Sequence, residues 1–555
     1  MNSRAKQNIG LTVFFLTVIP ILSHLLFSRF GFSLSDDGFV LAYSRRILDG
    51  QIPYRDFITI RPIFSAFLHS PVVFFGGEYT YYISRLFVSF QFACIAWCWV
   101  DIADRAFILQ LRSFEKFVYG LVGFSLINNT PIVWQTNDAI FLYSLGLVLA
   151  LRQRTRLVGY CIIGLAPLAR QNLIFMLPAT IILLKDARKI RAWAALFMPS
   201  IGYGIYVIIN GAWPDMIIQI LAQESIFKLW NKSVFINPLT IGGVAAGYIV
   251  ILLKSGKLNF AERINDLLAG IIVFCIIVTP VLSLLVSYDF IYRASYFFFG
   301  AVAGLVLGLV TSGKKFRQYV PMGIIALLLG WSVSISLGNP TPFFAFSALL
   351  SIVIAYERII NKRLFQPGQL SKWRIVQGSI LIVLSVLCSW VNKTRHIFRE
   401  NPVPELKYSL DGVLPGARSI RTNPNNYKLL VDLKKAIAAT GGRTYAIVES
   451  FQGYWVKSPQ PNPLPIDLTI NPELPTQVFV DRVVNYLNSN RGQIIVIVPK
   501  ASSVQTSQGL FAMSTLEYSN GWVRSDLMYR YSEVARYVIR NFSWFAETDY
   551  FILYK

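Results

Sequence analysis

The stretch from Ser33 to Pro62, SLSDDGFVLAYSRRILDGQIPYRDFITIRP, sets Asp36, Asp37, Asp49 and Asp56 against Arg45, Arg46, Arg55 and Arg61. It follows the first apolar run and is the most polar part of the first hundred residues. Group transfer from a phosphate-activated donor needs a base to take the acceptor's proton and cations to hold the departing phosphate. Asp36 and Asp37 have the right chemistry for the base. Arg61, beside Pro62, has the right chemistry for the phosphate, because a guanidinium grips it bidentately. Each has a plainer alternative: an acidic pair also caps a helix N-terminus, and arginines here also meet lipid headgroups, the better reading for Arg45, Arg46 and Arg55.

Three other places carry candidate groups. Asp138 closes the run Trp134-Gln-Thr-Asn-Asp138 at the end of an apolar segment, where an ionisable residue is a functional candidate and helix capping by Asn137 or Asp138 is the alternative. Arg170 lies in the link Arg170-Gln171-Asn172 between two short apolar runs. Tyr292 and Arg293 end a link from Ser287. There the arginine suits a phosphate and the tyrosine a sugar ring, unless the two form an interfacial anchor.

The elements that must position these groups are helices in a membrane. Of 555 residues, 54% are hydrophobic and 15% charged, with mean hydropathy +0.51; a soluble chain carries about 25% charge. Apolar runs recur from the N-terminus to Val391, which predicts a polytopic helical membrane protein. The net charge of +23 does not point to nucleic acid, because Lys and Arg cluster in short links between the runs, the positive-inside pattern. The five cysteines all lie in apolar segments, and the three histidines, His24, His69 and His396, are scattered, so no metal-ligand spacing appears.

The first run, Ile9 to Phe27, reads as an uncleaved helix and not as a signal peptide, since no small-x-small cleavage site follows. Twelve further runs, from 84–103 to 375–391, bring the expected spans to about thirteen. The links predicted to lie inside are all basic, which puts the C-terminus outside. The first outer loop, 28–85, is expected to hold an amphipathic interfacial helix over Phe39 to Leu48, ended by Gly50, and a second over Pro62 to Phe75. Residues 1–391 thus form the transmembrane domain. Residues 392–555 change to soluble patterning and read as a small outer α/β domain. It has helices over Asn425 to Thr440 and Gln477 to Asn488, and strands over Arg443 to Glu449 and Gln493 to Val498. Four glycosylation sequons, at Asn128, Asn231, Asn392 and Asn541, fall outside in this topology.

In these residues the chain resembles the GT-C superfamily of polyprenyl-phosphate-sugar-dependent glycosyltransferases, near the protein mannosyltransferase and lipid A aminoarabinose transferase type. The matching pattern is Asp36-Asp37, a helix from Ala42 to Gly50, Pro53-Tyr54-Arg55-Asp56, Arg61-Pro62 and a later Asn137-Asp138 step. The motifs cover roughly residues 9–185, and the rest agrees only in topology. Asp37 replaces the more common Glu. Ile60 stands where some members carry an acidic residue, which weakens the case for a divalent metal (Mg or Mn). The resemblance implies Asp36 as catalytic base with Asp37 second, Asp138 as an auxiliary acidic group, and Arg61 on the donor phosphate; by their own chemistry Arg170 and Arg293 are further candidates for that phosphate. Tyr54 and Asn137, within the matching motifs, and Tyr292, in the link from Ser287, are the candidate substrate contacts. The expected reaction is inverting transfer from a polyprenyl-phosphate sugar to an envelope lipid, glycan or protein, at a bacterial plasma membrane and without nucleic acid. The rivals are a lipid-linked sugar transporter or flippase, a non-catalytic envelope assembly protein, and an oligosaccharide ligase or polymerase.

Overall fold

The computed structural model describes residues 3–128, 131–223, 234–254, 261–311, 319–335, 341–364, 367–500 and 532–555. Helices form wherever the apolar runs lie. In chain order they are α1 (Ser3–Phe27), α2 (Asp36–Leu48), α3 (Phe64–Phe75), α4 (Thr80–Ala106), α5 (Ser113–Ile127), α6 (Gln135–Ala150), α7 (Arg156–Ala169), α8 (Met176–Leu183), α9 (Ile190–Ile209), α10 (Trp213–Leu221), α11 (Pro238–Lys254), α12 (Glu262–Ser283), α13 (Tyr288–Thr311), α14 (Val320–Ser334), α15 (Phe346–Leu364) and α16 (Pro367–Arg395).

Among the described residues, six segments are long and apolar enough to cross a membrane, those on α1, α4, α9, α12, α13 and α16. They indicate a membrane protein. The remaining apolar runs are helical too, but α5, with 15 residues, is typical of them. At about 1.5 Å per residue such a helix is shorter than a hydrocarbon core about 30 Å thick. Length therefore carries six crossings and not the expected thirteen.

Small residues bring some of these helices together. Gly243 and Gly247 on α11 lie directly against backbone carbonyls of Phe297 and Ala301 on α13, while Gly300 and Gly304 on α13 lie against those of Thr240 and Val244 on α11. This is a reciprocal small-xxx-small contact, in which any side chain would force the backbones apart.

The C-terminal part adds α17 (Pro424–Ala439), α18 (Gln452–Trp455), α19 (Gln477–Ser489) and α20 (Glu533–Asn541) around a small sheet. Strands β1 (Tyr408–Ser409) and β2 (Arg421–Thr422) form a short antiparallel pair. The main sheet has the order β3-β4-β6-β5, with β3 (Tyr445–Ile447), β4 (Ile495–Pro499), β5 (Trp544–Glu547) and β6 (Phe551–Tyr554). Strands β3 and β4 are parallel, with Ile447 opposite Ile497, and β6 joins antiparallel with Leu553 opposite Ile497. The two helices and two strands expected here are present within a few residues. The β5–β6 hairpin comes in addition.

The C-terminal part does not hang free of the loop after α1. The N–H of Gly31 donates to Arg421 O at 2.9 Å and that of Arg421 to Arg29 O at 2.7 Å. The N–H of Gly453 donates to Leu34 O at 2.7 Å, and that of Ile58 to Pro465 O at 2.7 Å. Gly38 on α2 lies so close to the Gly453 backbone that a Cβ would overlap it. Glu400 accepts from the N–H of Phe32 at 3.1 Å and from the side chains of Thr422, Asn423 and Asn426. The polar loop thus spends its backbone groups on the C-terminal part. Of the sequon asparagines, Asn128 and Asn392 are buried and closed to a glycan, Asn541 is exposed, and Asn231 lies outside the described residues.

Candidate functional site

Helix α2 starts three residues earlier than its apolar spacing predicts, because Asp36 and Asp37 occupy its first turn, where the helix dipole favours negative charge. The two carboxylates then part company. Asp37 is buried. Its Oδ1 accepts from Arg85 Nη2 at 2.9 Å and Nε at 3.2 Å, and its Oδ2 accepts from the N–H of Ser33 at 2.9 Å. Arg85 uses its other donors on Ser28 O and Gly31 O, each at 2.7 Å. Burial pushes the Asp37 carboxyl above its ordinary range, against the pull of Arg85. Both oxygens are engaged, and the pair ties α4 to the loop.

Asp36 stays partly open, its side chain 23% exposed. Its Oδ2 meets an Arg399 guanidinium nitrogen, Nη1, at 2.6 Å, and the Ser33 hydroxyl donates to it at 3.3 Å. The same Arg399 nitrogen donates to Ser35 Oγ at 3.1 Å, and Arg399 lies over the Phe398 ring. Asp36 is therefore the more accessible carboxylate of the pair.

Arg61 is held by the C-terminal part: Nη1 and Nη2 grip Glu473 at 2.5 and 2.7 Å, and the guanidinium lies 5.1 Å from the centre of Phe39. Arg170 is close enough to Arg61 to feel its charge, and burial together with Arg61 pushes it down to about 10. Its Nη2 donates to Ile335 O at 3.1 Å, while its Nε is buried with no partner among the described residues. Among the described residues, these two neighbouring guanidinium groups share one paired carboxylate, Glu473.

Asp138 is completely buried in the first turn of α6. Its Oδ1 meets His69 Nε2 on α3 at 2.9 Å and accepts from Gln91 Nε2 on α4 at 2.6 Å, leaving Oδ2 without a partner among the described residues. Asn137 donates to Ile132 O at 3.2 Å and is also buried. Tyr54 is fully buried in a left-handed turn (φ 69°), its hydroxyl 2.7 Å from that of Tyr203 and donating to Arg61 O at 3.1 Å. In this structure Tyr54 positions Arg61. Tyr292 packs edge-on against Phe343, which continues through Phe344 and Trp134 to Phe398 beneath Arg399. Arg293 beside it is exposed.

A cleft borders the Asp37–Arg85 pair. It has a volume of about 30 Å³ and is lined by Phe27, Phe32, Arg85, Lys393 and His396 among others. Sequence reading missed five of the residues that shape the site: Arg85, Arg399, Glu473, His69 and Lys393. Only Arg85 gave a signal, as an arginine inside an apolar run. The donor set does not fit a magnesium or manganese ion. Asp36 and Asp37 are each on an arginine, and among the described residues no group of three His, Cys, Asp or Glu side chains converges.

No family profile, no curated protein and no solved structure matches the chain.

Proposed function

We propose that the chain is a membrane glycosyltransferase that moves a sugar from a polyprenyl-phosphate donor to an envelope lipid, glycan or protein, with inversion at the anomeric carbon. The observation that carries this reading is Asp36, a partly open carboxylate at a helix head, held by a single arginine that a substrate can displace. The acceptor hydroxyl gives its proton to Asp36. Its oxygen bonds to the anomeric carbon as the bond from that carbon to the phosphate oxygen breaks, and the electron pair leaves with the phosphate. Arg61 and Arg170 meet the charge that develops there. Arg399 acts earlier, orienting Asp36 until the acceptor arrives. Asp138, anchored by His69 and Gln91, acts from α6 as a positioning group.

The finer architecture belongs to the same reading. About thirteen helices cross a bacterial plasma membrane in a GT-C-like arrangement, with α2, α3 and the C-terminal part on the outer side. Envelope glycan profiling by mass spectrometry of a wild-type, a deletion and a complemented strain tests it. Loss of one sugar in the deletion, with accumulation of its lipid-linked donor and recovery on complementation, is expected; an unchanged glycan profile overturns it. A lipid-linked sugar transporter is the second reading. It is favoured by the buried His69–Asp138–Gln91 cluster among apolar helices, and it requires the donor to accumulate on the inner leaflet alone.

A further inference from the structure

The cleft beside Arg85 contains a charge that the transferase reading does not use. Lys393, near the end of α16, is buried. Among the described residues its Nζ meets no carboxylate: it donates to Asn128 Oδ1 at 3.2 Å and lies 5.6 Å from the centre of the Phe27 ring. The one carboxylate lining the cleft, Asp37, is already engaged on both oxygens by Arg85 and the N–H of Ser33. One turn on, His396 lines the same cleft with a buried Nε2 that has no partner among the described residues. A buried ammonium is costly unless an anion meets it. The cleft's volume of about 30 Å³ gives room for about two waters, or for the two non-bridging oxygens of a phosphodiester whose remaining atoms stay in its mouth.

The surroundings say what carries the anion. Phe27 and Trp390 join the ends of α1 and α16 with ring centres 5.4 Å apart. Trp390 is itself exposed, as are Leu22, Leu25 and Leu26 on α1 and Val383 and Leu387 on α16. On helices long and apolar enough to span a membrane, that face meets acyl chains. An apolar face that leads up to a buried cation is complementary to a lipid with an anionic head.

We propose that the cleft holds the phosphate of an anionic membrane lipid whose acyl chains lie along α1 and α16. Lys393 supplies the charge, and His396 donates through Nε2 in the tautomer that carries its proton there. The site is separate from the Arg61–Arg170 region and stands whether or not the chain transfers a sugar.

The test is lipid titration of the purified full-length protein in neutral detergent, read by native mass spectrometry. Wild type is expected to bind phosphatidylglycerol at least about tenfold more tightly than phosphatidylcholine. Lys393→Gln loses this preference, while Lys393→Arg and Arg170→Met keep it. If Lys393→Gln does not fold, His396→Gln serves in its place, with a severalfold weaker preference expected. Equal binding of the two lipids by wild type, or an unchanged preference in the folded Lys393→Gln or its substitute, overturns the site. Loss of the preference in Arg170→Met moves the lipid to the other region and overturns it as well. Inorganic phosphate binding as tightly as phosphatidylglycerol overturns the lipid assignment.

Discussion

Asp36 and Asp37 are neighbours in sequence with opposite surroundings. Asp37 neutralises the buried Arg85, and Asp36 faces an opening with one arginine on it. The consequence is a separation of effects that their adjacency hides. Asp37→Asn leaves the Arg85 charge buried without a counter-ion, at a cost of about 3 kcal/mol. It is expected to lower the midpoint of unfolding in mixed detergent–SDS micelles, whereas Asp36→Asn, which breaks a partly exposed pair with Arg399, costs about 1 kcal/mol and lowers the midpoint less. Equal destabilisation by the two would contradict the division of roles. The acidic pair was legible in the sequence because two carboxylates beside an apolar run are conspicuous. Which of them is open was not, since that depends on Arg85, 48 residues away, and on Arg399, beyond the last long helix.

At the scale of elements, the helices were legible because apolar content and length write them locally. The grip of the C-terminal part on the loop was not. The Arg61–Glu473 pair joins residues 412 apart, and neither belongs to a local pattern. The Pro-rich stretch that carries Glu473 reads as a loop from its composition, and only the fold reveals that it meets Arg61. Glu400 shows the same coupling. It ties Phe32 to the start of α17 through four donors and no cation. Burial raises its carboxyl above the ordinary 4.5, more than those hydrogen bonds lower it. The folded state then holds this proton more tightly than the unfolded state does. The contribution of Glu400 is most favourable below pH about 4.5 and falls as pH rises from there through its raised folded value. Glu400→Gln is expected to remove that decline, seen as a smaller loss of unfolding midpoint between pH 4.5 and pH 7 than in wild type. Identical pH profiles for the two proteins would show that Glu400 titrates as an ordinary surface acid.

On the scale of the whole molecule, the C-terminal part closes over α2 and α3, so the candidate site has two sources. Asp36 and Arg61 come from the loop after α1, and Arg399 and Glu473 come from beyond α16. The proposed topology puts this whole assembly outside. A single cysteine at the exposed Lys435 of α17, in a chain whose native cysteines are replaced, is then expected to react with a membrane-impermeant maleimide in intact cells. Protection there until the cells are broken would reverse the topology. The central claim, that Asp36 takes the acceptor's proton, is tested most directly by complementing the deletion strain with Asp36→Asn at matched protein level and profiling the envelope glycans. The account expects the missing sugar to stay missing and its lipid-linked donor to accumulate, as in the deletion. A glycan profile restored to wild type by Asp36→Asn would contradict it.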